Sequence, residues 1–160
     1  MQLTADILLW FSAIASGLMA GLYFAFSAFI MRAFAGIDRG TGVAAMNAIN
    51  RVILRSPFMP LFLGSSLSSL ALVAIGFAQP GEPGAAAMAA GGGLYFLGMF
   101  VVTVVCNVPL NNALAATDPA SEEEARVWSD FLARWTCWNH LRTIASTAAL
   151  ALFILAITVR

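Results

Sequence analysis

Apolar side chains crowd into four runs along this chain, Ile7 to Met31, Phe58 to Ala78, Ala85 to Cys106 and Leu141 to Val159, with polar stretches between them. A helix crosses the hydrocarbon of a bilayer with roughly 20 such residues, so each run predicts a membrane span, over residues 7-31, 58-78, 85-106 and 141-159. No strand and no internal repeat is evident. The pattern predicts an all-α integral membrane four-helix bundle, a single domain over residues 1-160 with cytoplasmic amphipathic helical extensions. The first run reads as a retained helix rather than a secretory signal: no Lys or Arg precedes it, it exceeds a typical signal core, and Arg32 follows directly.

The polar stretches have a periodicity of their own. In AAMNAINRVILRSPFMP, Met46, Ile49, Val52 and Ile53 recur at three- and four-residue intervals beside Asn47, Asn50 and Arg51, which predicts a short amphipathic helix at the interface. Ser56-Pro57 breaks it before the second span, and Gln79-Pro80-Gly81-Glu82-Pro83-Gly84 reads as a turn. The third run ends in CNVPLNNALAATDP. Thr103, Asn107 and Asn111 share one face there if the helix continues, and Pro109 is expected to kink or end it. Further on, Asp118 or Ser121 suits an N-cap, Pro119 a first turn, Ser121-x-x-Glu124 a capping box, and Glu122 to Glu124 the positive end of a helix dipole. Neither Gly nor Pro occurs from Ala120 to Arg160. One nearly continuous helix is expected, its first half on the cytoplasmic surface and its second half spanning.

Composition sharpens the picture. Of the 160 residues 61% are hydrophobic and 10% charged, against about 25% charged in soluble domains. There is no lysine. Arg32, Arg39, Arg51 and Arg55 fall in the first connection and Arg126 and Arg134 in the third, which by the positive-inside rule puts both on the cytoplasmic side and both termini outside. An alanine-rich, lysine-free chain suggests a high-GC bacterial source and hence the bacterial inner membrane. Cys106 and Cys137 fall near the cytoplasmic surface, where thiols stay reduced, and read as small apolar core residues. In the first span Gly17-x-x-x-Gly21, with Ser12, Ser16, Met19 and Tyr23 at helical spacing nearby, allows close helix approach within the bundle or in a homo-oligomer.

Candidate chemistry concentrates in WTCWNHLRT, residues 135–143, a polar cluster at the mouth of an apolar run. Trp128, Phe131, Leu132, Trp135, Trp138, Asn139, Arg142 and Ser146 share a helical face, with His140 and Thr143 on its flank. Arginine inside a span costs ~2.5–3.5 kcal/mol at the helix centre on insertion scales. Arg142 either snorkels to the headgroups or turns inward, toward the asparagines of the third run and an anionic ligand. Trp135 and Trp138 either join an interfacial belt or sandwich a flat aromatic ligand. His140, the only histidine, is either hydrogen-bonded at a helix boundary or a general base. One histidine and two thiols on different segments do not compose a metal site without acids, and the acids sit in caps or turns. No glycine-rich phosphate loop follows a strand, and bis-histidine haem is excluded within one chain. No cofactor and no nucleic-acid partner is expected; membrane lipid is.

NVPLNNAL (Asn107 to Leu114), the acidic amphipathic segment after it, W-x-x-WNHLRT (Trp135 to Thr143) and NRVILRSPFMPLF (Asn50 to Phe62) together resemble the anthrone oxygenase-like family of small four-helix membrane proteins, over nearly the whole chain. Fungal members are similar to enzymes that oxidise anthrones, flat polyketide tricycles, to anthraquinones with molecular oxygen and no metal or flavin. The resemblance implies a membrane-embedded, cofactor-independent oxygenase acting on an anthrone-like or phenolic aromatic with O2. In that chemistry a base, His140, takes a proton from the activated methylene and the enolate-like anion reduces oxygen directly. Arg142 with Asn139, Asn107, Asn111 and the adjacent Asn112 would meet the substrate and its developing oxyanion, and Trp135 and Trp138 would flank the rings. A non-catalytic membrane protein that binds a lipid or quinone, or serves as a partner subunit, fits the same residues as the alternative.

Overall fold

The structure, a computed structural model, describes residues 2–118 and 121–160; Pro119, expected in a first helical turn, lies outside the described residues. Its helices are α1 (Gln2–Gly36), α2 (Arg39–Ile53), α3 (Phe58–Ala78), α4 (Ala85–Ala116) and α5 (Glu122–Thr158). No strand occurs among the described residues. α1, α3, α4 and α5 are each long and apolar enough to cross a membrane, and α2 packs against the neighbouring ends of α1, α4 and α5. The chain is an all-α integral membrane bundle, as its four apolar runs predict.

α3 has the predicted bounds, but α4 runs ten residues beyond Cys106, straight through Pro109. Proline withholds one N–H and crowds the preceding turn. Here the turns before it are widened into π-helix, Phe96–Val101 and Thr103–Asn107, and Pro109 opens the α-helical stretch Val108–Ala116. A wider turn absorbs the missing bond and the ring, so the expected break is a widening instead. α1 has a matching π-turn at Phe26–Ile30 before it continues to Gly36.

The start of α5 differs from the predicted capping box in one informative way. Ser121 Oγ accepts from Glu124 N at 3.3 Å, which is half of the box. The other half is missing: the buried Glu124 carboxylate accepts from Arg39 Nε at 2.9 Å instead of returning to Ser121. That ion pair ties the first turn of α2 to the first turn of α5. α2 has its own cap in Asp38, whose carboxylate accepts from Thr41 N at 3.0 Å. The bond from the Thr41 amide holds the Asp38 carboxyl below the usual carboxylate range. Its contribution is therefore intact at neutral pH and lost as the pH falls through that lowered value.

Two apolar clusters form the core. One joins α1, α3, α4 and α5 through Leu9, Met19, Leu72, Met88, Met99 and Phe153; the other joins α1, α2, α4 and α5 through Phe26, Met46, Leu114, Trp128, Phe131 and Trp135. A Cβ at Gly92 would run into the Ser69 carbonyl of α3, and one at Gly98 into the Ala145 methyl of α5. α4 is thus clamped between its neighbours along its first half, as small residues permit. Of the predicted glycine pair only Gly17 meets α5, at Leu150, while a Cβ at Gly21 would meet nothing within 4 Å. One core expectation is corrected: Cys137 is exposed, being two residues and about 200° of helix from inward Trp135.

Candidate functional site

A cavity of about 400 Å³ lies where the two core clusters meet, within the size range of small-molecule sites. α1 contributes Tyr23 and Phe26, α2 Met46, Ile49 and Asn50, and α3 Phe58 and Phe62. α4 contributes Phe100, Thr103, Asn111 and Asn112, and α5 Trp135 and Arg142. Phe26, Phe100 and Thr103 all belong to π-widened turns, so the departures from regular helix border the cavity. Trp135 and Arg142, seven residues or two turns apart, share one face of α5. The walls are aromatic: Phe26 and Trp135 have ring centres 5.5 Å apart, and Phe62 and Phe100 5.3 Å.

Arg142 is turned inward and is only 4% exposed. Its Nη2 donates to Asn139 Oδ1 at 2.8 Å and its Nη1 to Thr103 Oγ1 at 3.3 Å. The guanidinium lies over the Tyr23 ring, 4.4 Å from its centre, and 5.0 Å from that of Trp135. A desolvated cation gains about 2 kcal/mol from such a ring. Its charge is not neutralised. Among the described residues the ion pairs join Arg39 to Glu124, Arg134 to Asp130 and Arg160 to Asp6, and none reaches Arg142.

Buried polar atoms normally have hydrogen-bond partners, yet among the described residues five around this cavity make no regular hydrogen bond: Tyr23 Oη, which lies beside Arg142 and Thr103, Asn50 Nδ2, Asn111 Oδ1, Trp135 Nε1 and Arg142 Nε. Four of the five groups are able to donate. The arrangement suits a flat, mostly apolar molecule with an oxygen that is, or becomes, negative.

Behind the wall, Asn139 holds the arginine in place. It is fully buried, and its Nδ2 donates to the Tyr23 carbonyl and to Ser27 Oγ, both at 2.7 Å. Thr143 Oγ1 donates to the Asn139 carbonyl at 2.9 Å and lies 3.2 Å from Ser27 Oγ. α5 is thereby bolted to α1 beside the π-turn, and Asn139 Oδ1 is left to fix the guanidinium. Asn107 has a similar place on α4: it is buried, and its Nδ2 donates to the Trp135 carbonyl at 3.2 Å.

Of the sequence-predicted residues, the structure brings Arg142, Trp135, Asn111 and Asn112 to the cavity, with Asn139 and Asn107 directly behind it. It does not bring His140 or Trp138, which lie outside the cavity wall, the first exposed and the second half-buried. His140 is two residues and about 200° of helix from Arg142, so an inward arginine turns the histidine outward. His140→Gln is expected to leave turnover within about twofold of wild type, as exposed substitutions away from a site do, measured by initial rate in the assay below. The sequence reading did not mark Tyr23, Asn50 or the phenylalanines as site residues. Tyr23 was within reach, since it continues the Ser12, Ser16 and Met19 stripe of α1, and all four are buried.

Fold and site define a class: an integral membrane helical bundle with an aromatic-walled cavity built around a buried arginine that has no carboxylate partner among the described residues. The family model for anthrone oxygenase matches residues 51–152, and the chain belongs to that family. The matched stretch contains every cavity residue named above except those of α1 and α2. No curated protein and no solved structure matches the chain.

Proposed function

We propose that the protein is a membrane-embedded oxygenase that acts on an anthrone-like or phenolic aromatic with O2 and needs no resident cofactor. The observation that carries this reading is the buried Arg142, without an ion-pair partner among the described residues, in the wall of an aromatic-lined cavity of ligand size. Membership of the anthrone oxygenase family supports an anthrone-like substrate class.

In an anthrone the reacting methylene stands across a ring from a ketone, so loss of a C–H proton places negative charge on the ketone oxygen. Arg142 Nε and Tyr23 Oη, neither in a regular hydrogen bond among the described residues, would donate to that oxygen as its charge grows, the arrangement in which fixed donors stabilise a transition state most. With His140 outside the cavity, acidification of the substrate by Arg142 takes the place of a side-chain base, and the proton leaves to water at the asparagine edge of the cavity. The carbanion carbon then gives electrons to O2 and forms a C–O bond. The resulting peroxide anion takes up a proton, and the hydroperoxide so formed breaks its O–O bond and the remaining C–H bond, losing water to give the quinone carbonyl. One CH2 and one O2 become one C=O and one H2O. Trp135 and Phe26 would stack along the rings, Asn50, Asn111 and Asn112 would meet peripheral hydroxyls, and Asn139 would act through Arg142 as a positioning residue.

We infer from the arginine distribution that the first and third connections are cytoplasmic, which puts the cavity in the cytoplasmic half of a bacterial inner-membrane protein with both termini outside. The apolar mouth of the cavity also suits the second reading, a non-catalytic lipid or quinone site. Turnover separates the two. Purified protein is incubated aerobically with a panel of anthrones, and quinone absorbance is followed against buffer and against Arg142→Ala, since anthrones autoxidise. The oxygenase reading expects quinone formation above both backgrounds; rates equal to buffer across the panel favour the binding reading.

A further inference from the structure

Two walls of the cavity separate toward one end. α3 and α4 are tightly packed near the turn that joins them, where a Cβ at Gly76 would meet the Ala85 carbonyl at 2.7 Å. They stay together as far as the Phe62 and Phe100 rings. Beyond that pair they hardly approach each other, and the cavity occupies the space between them. Its edge there is formed by Leu63 of α3, Val104 and Val108 of α4, and Leu54 in the connection before α3. These residues line the cavity and yet are 46%, 47%, 38% and 64% exposed, respectively. A residue that lines a cavity and is also exposed stands at its mouth, and by the same rule the exposed Asn112 adds one polar side chain to that rim.

Where that mouth points follows from the helices that frame it. α3 and α4 are both membrane spans, and Leu63 lies about 8 Å along α3 from its first residue. A mouth edged by Leu63 and Val104 therefore faces hydrocarbon, where water cannot satisfy exposed groups and apolar side chains are at home. The most enclosed polar side chains of the lining are Tyr23 and Arg142, 3% and 4% exposed. From mouth to back the cavity runs from aliphatic to aromatic to cationic. That is the order in which a ring system with one acidic oxygen would be received if it entered oxygen first.

We propose that the cavity opens sideways into the bilayer between α3 and α4, and that the molecule held at Arg142 is a lipophilic phenol or keto-enol taken up from the lipid. Naming that molecule a substrate rests on the oxygenase reading; the opening itself does not. The bilayer concentrates such a molecule at the mouth because apolar surface leaves water spontaneously. The π-turn Thr103–Asn107 puts Thr103 on the Arg142 side and Val104 at the mouth, so one irregular turn of α4 forms both ends of the path.

The test uses the wild-type chain in nanodiscs that contain a phosphatidylcholine with a photoactivatable diazirine near the middle of one acyl chain, and no substrate. After illumination, adducts are mapped by mass spectrometry. The expected result is labelling of cavity-wall residues such as Phe58, Phe62 or Tyr23 beside the labelling of outward residues such as Leu67 and Phe77. Narrowing the mouth with Leu63→Phe and Val104→Phe should cut the cavity adducts at least about fivefold while the outward adducts persist. Labels confined to outward residues would overturn the proposal. So would cavity residues labelled only by a water-soluble diazirine, which would place the entrance on the aqueous side. Neither result depends on turnover, so a failed opening and a failed oxygenase reading are told apart.

Discussion

Arg142→Gln should lower the rate of quinone formation from an anthrone by about 10²–10³-fold, the range for removing one fixed oxyanion donor. The fold should survive it. Gln keeps an amide for Asn139, and the wild-type guanidinium is a desolvated cation with no carboxylate partner among the described residues. Removing a buried charge that lacks a counter-charge relieves a desolvation penalty, so the Tm in detergent is expected to hold or to rise. A fall in activity together with a lower Tm would mean that Arg142 is a structural brace. Arg142→Lys is the informative intermediate. It keeps the charge but loses the planar fork that reaches Thr103, Asn139 and the cavity at once, so partial activity is expected from it.

Tyr23→Phe is the second large effect. The substitution removes a hydroxyl that lies beside Arg142 and Thr103 without a regular hydrogen bond among the described residues, and it keeps the ring under the guanidinium. Deleting a buried hydroxyl that makes no regular hydrogen bond costs the fold little, yet the loss of a donor to the developing enolate should cost roughly 10²-fold in rate. The split between rate and stability is the signature. Tyr23→Leu, which also removes the ring that Arg142 rests on, is expected to lower both, and thermal unfolding beside initial rates checks the pair.

The sequence carried the helices well because bilayer crossing leaves little freedom: a run of apolar residues of the right length has to be a helix, and α3 is found where Phe58 to Ala78 predicts it. The inward face of α5 was legible for the same reason. Of the eight residues on that predicted face, Trp128, Phe131, Trp135, Asn139, Arg142 and Ser146 are buried, and Leu132 and Trp138, at its edges, are half-buried. Local rules failed where a distant partner competed. Glu124 fits a capping box by spacing, but Arg39 of α2 takes its carboxylate. Pro109 should break a regular helix, but π-widened turns before it relieve the crowding.

The site was half legible for a geometric reason. Adjacent residues in one motif point in different directions on a helix, so WNHLRT divides between Asn139 and Arg142, which are buried, and His140, which is exposed. Chemical aptitude singled out the histidine, and periodicity would have set it aside. Tyr23 was invisible as a partner of Arg142 because the two are far apart in sequence and meet only when α1 packs on α5.

Stabilisation by Arg142 of a negative oxygen on the bound aromatic is reported directly by a bound phenol. The protein is saturated with 1,8-dihydroxyanthraquinone, a quinone with no methylene left to oxidise, and the visible absorbance of its phenolate is titrated against pH in wild type and Arg142→Gln. An adjacent cation favours the ionised form, so the bound phenol should ionise at least about one pH unit lower in wild type than in the variant, worth roughly 1.4 kcal/mol. Equal midpoints in the two proteins, with binding intact in both, would contradict the assignment of Arg142.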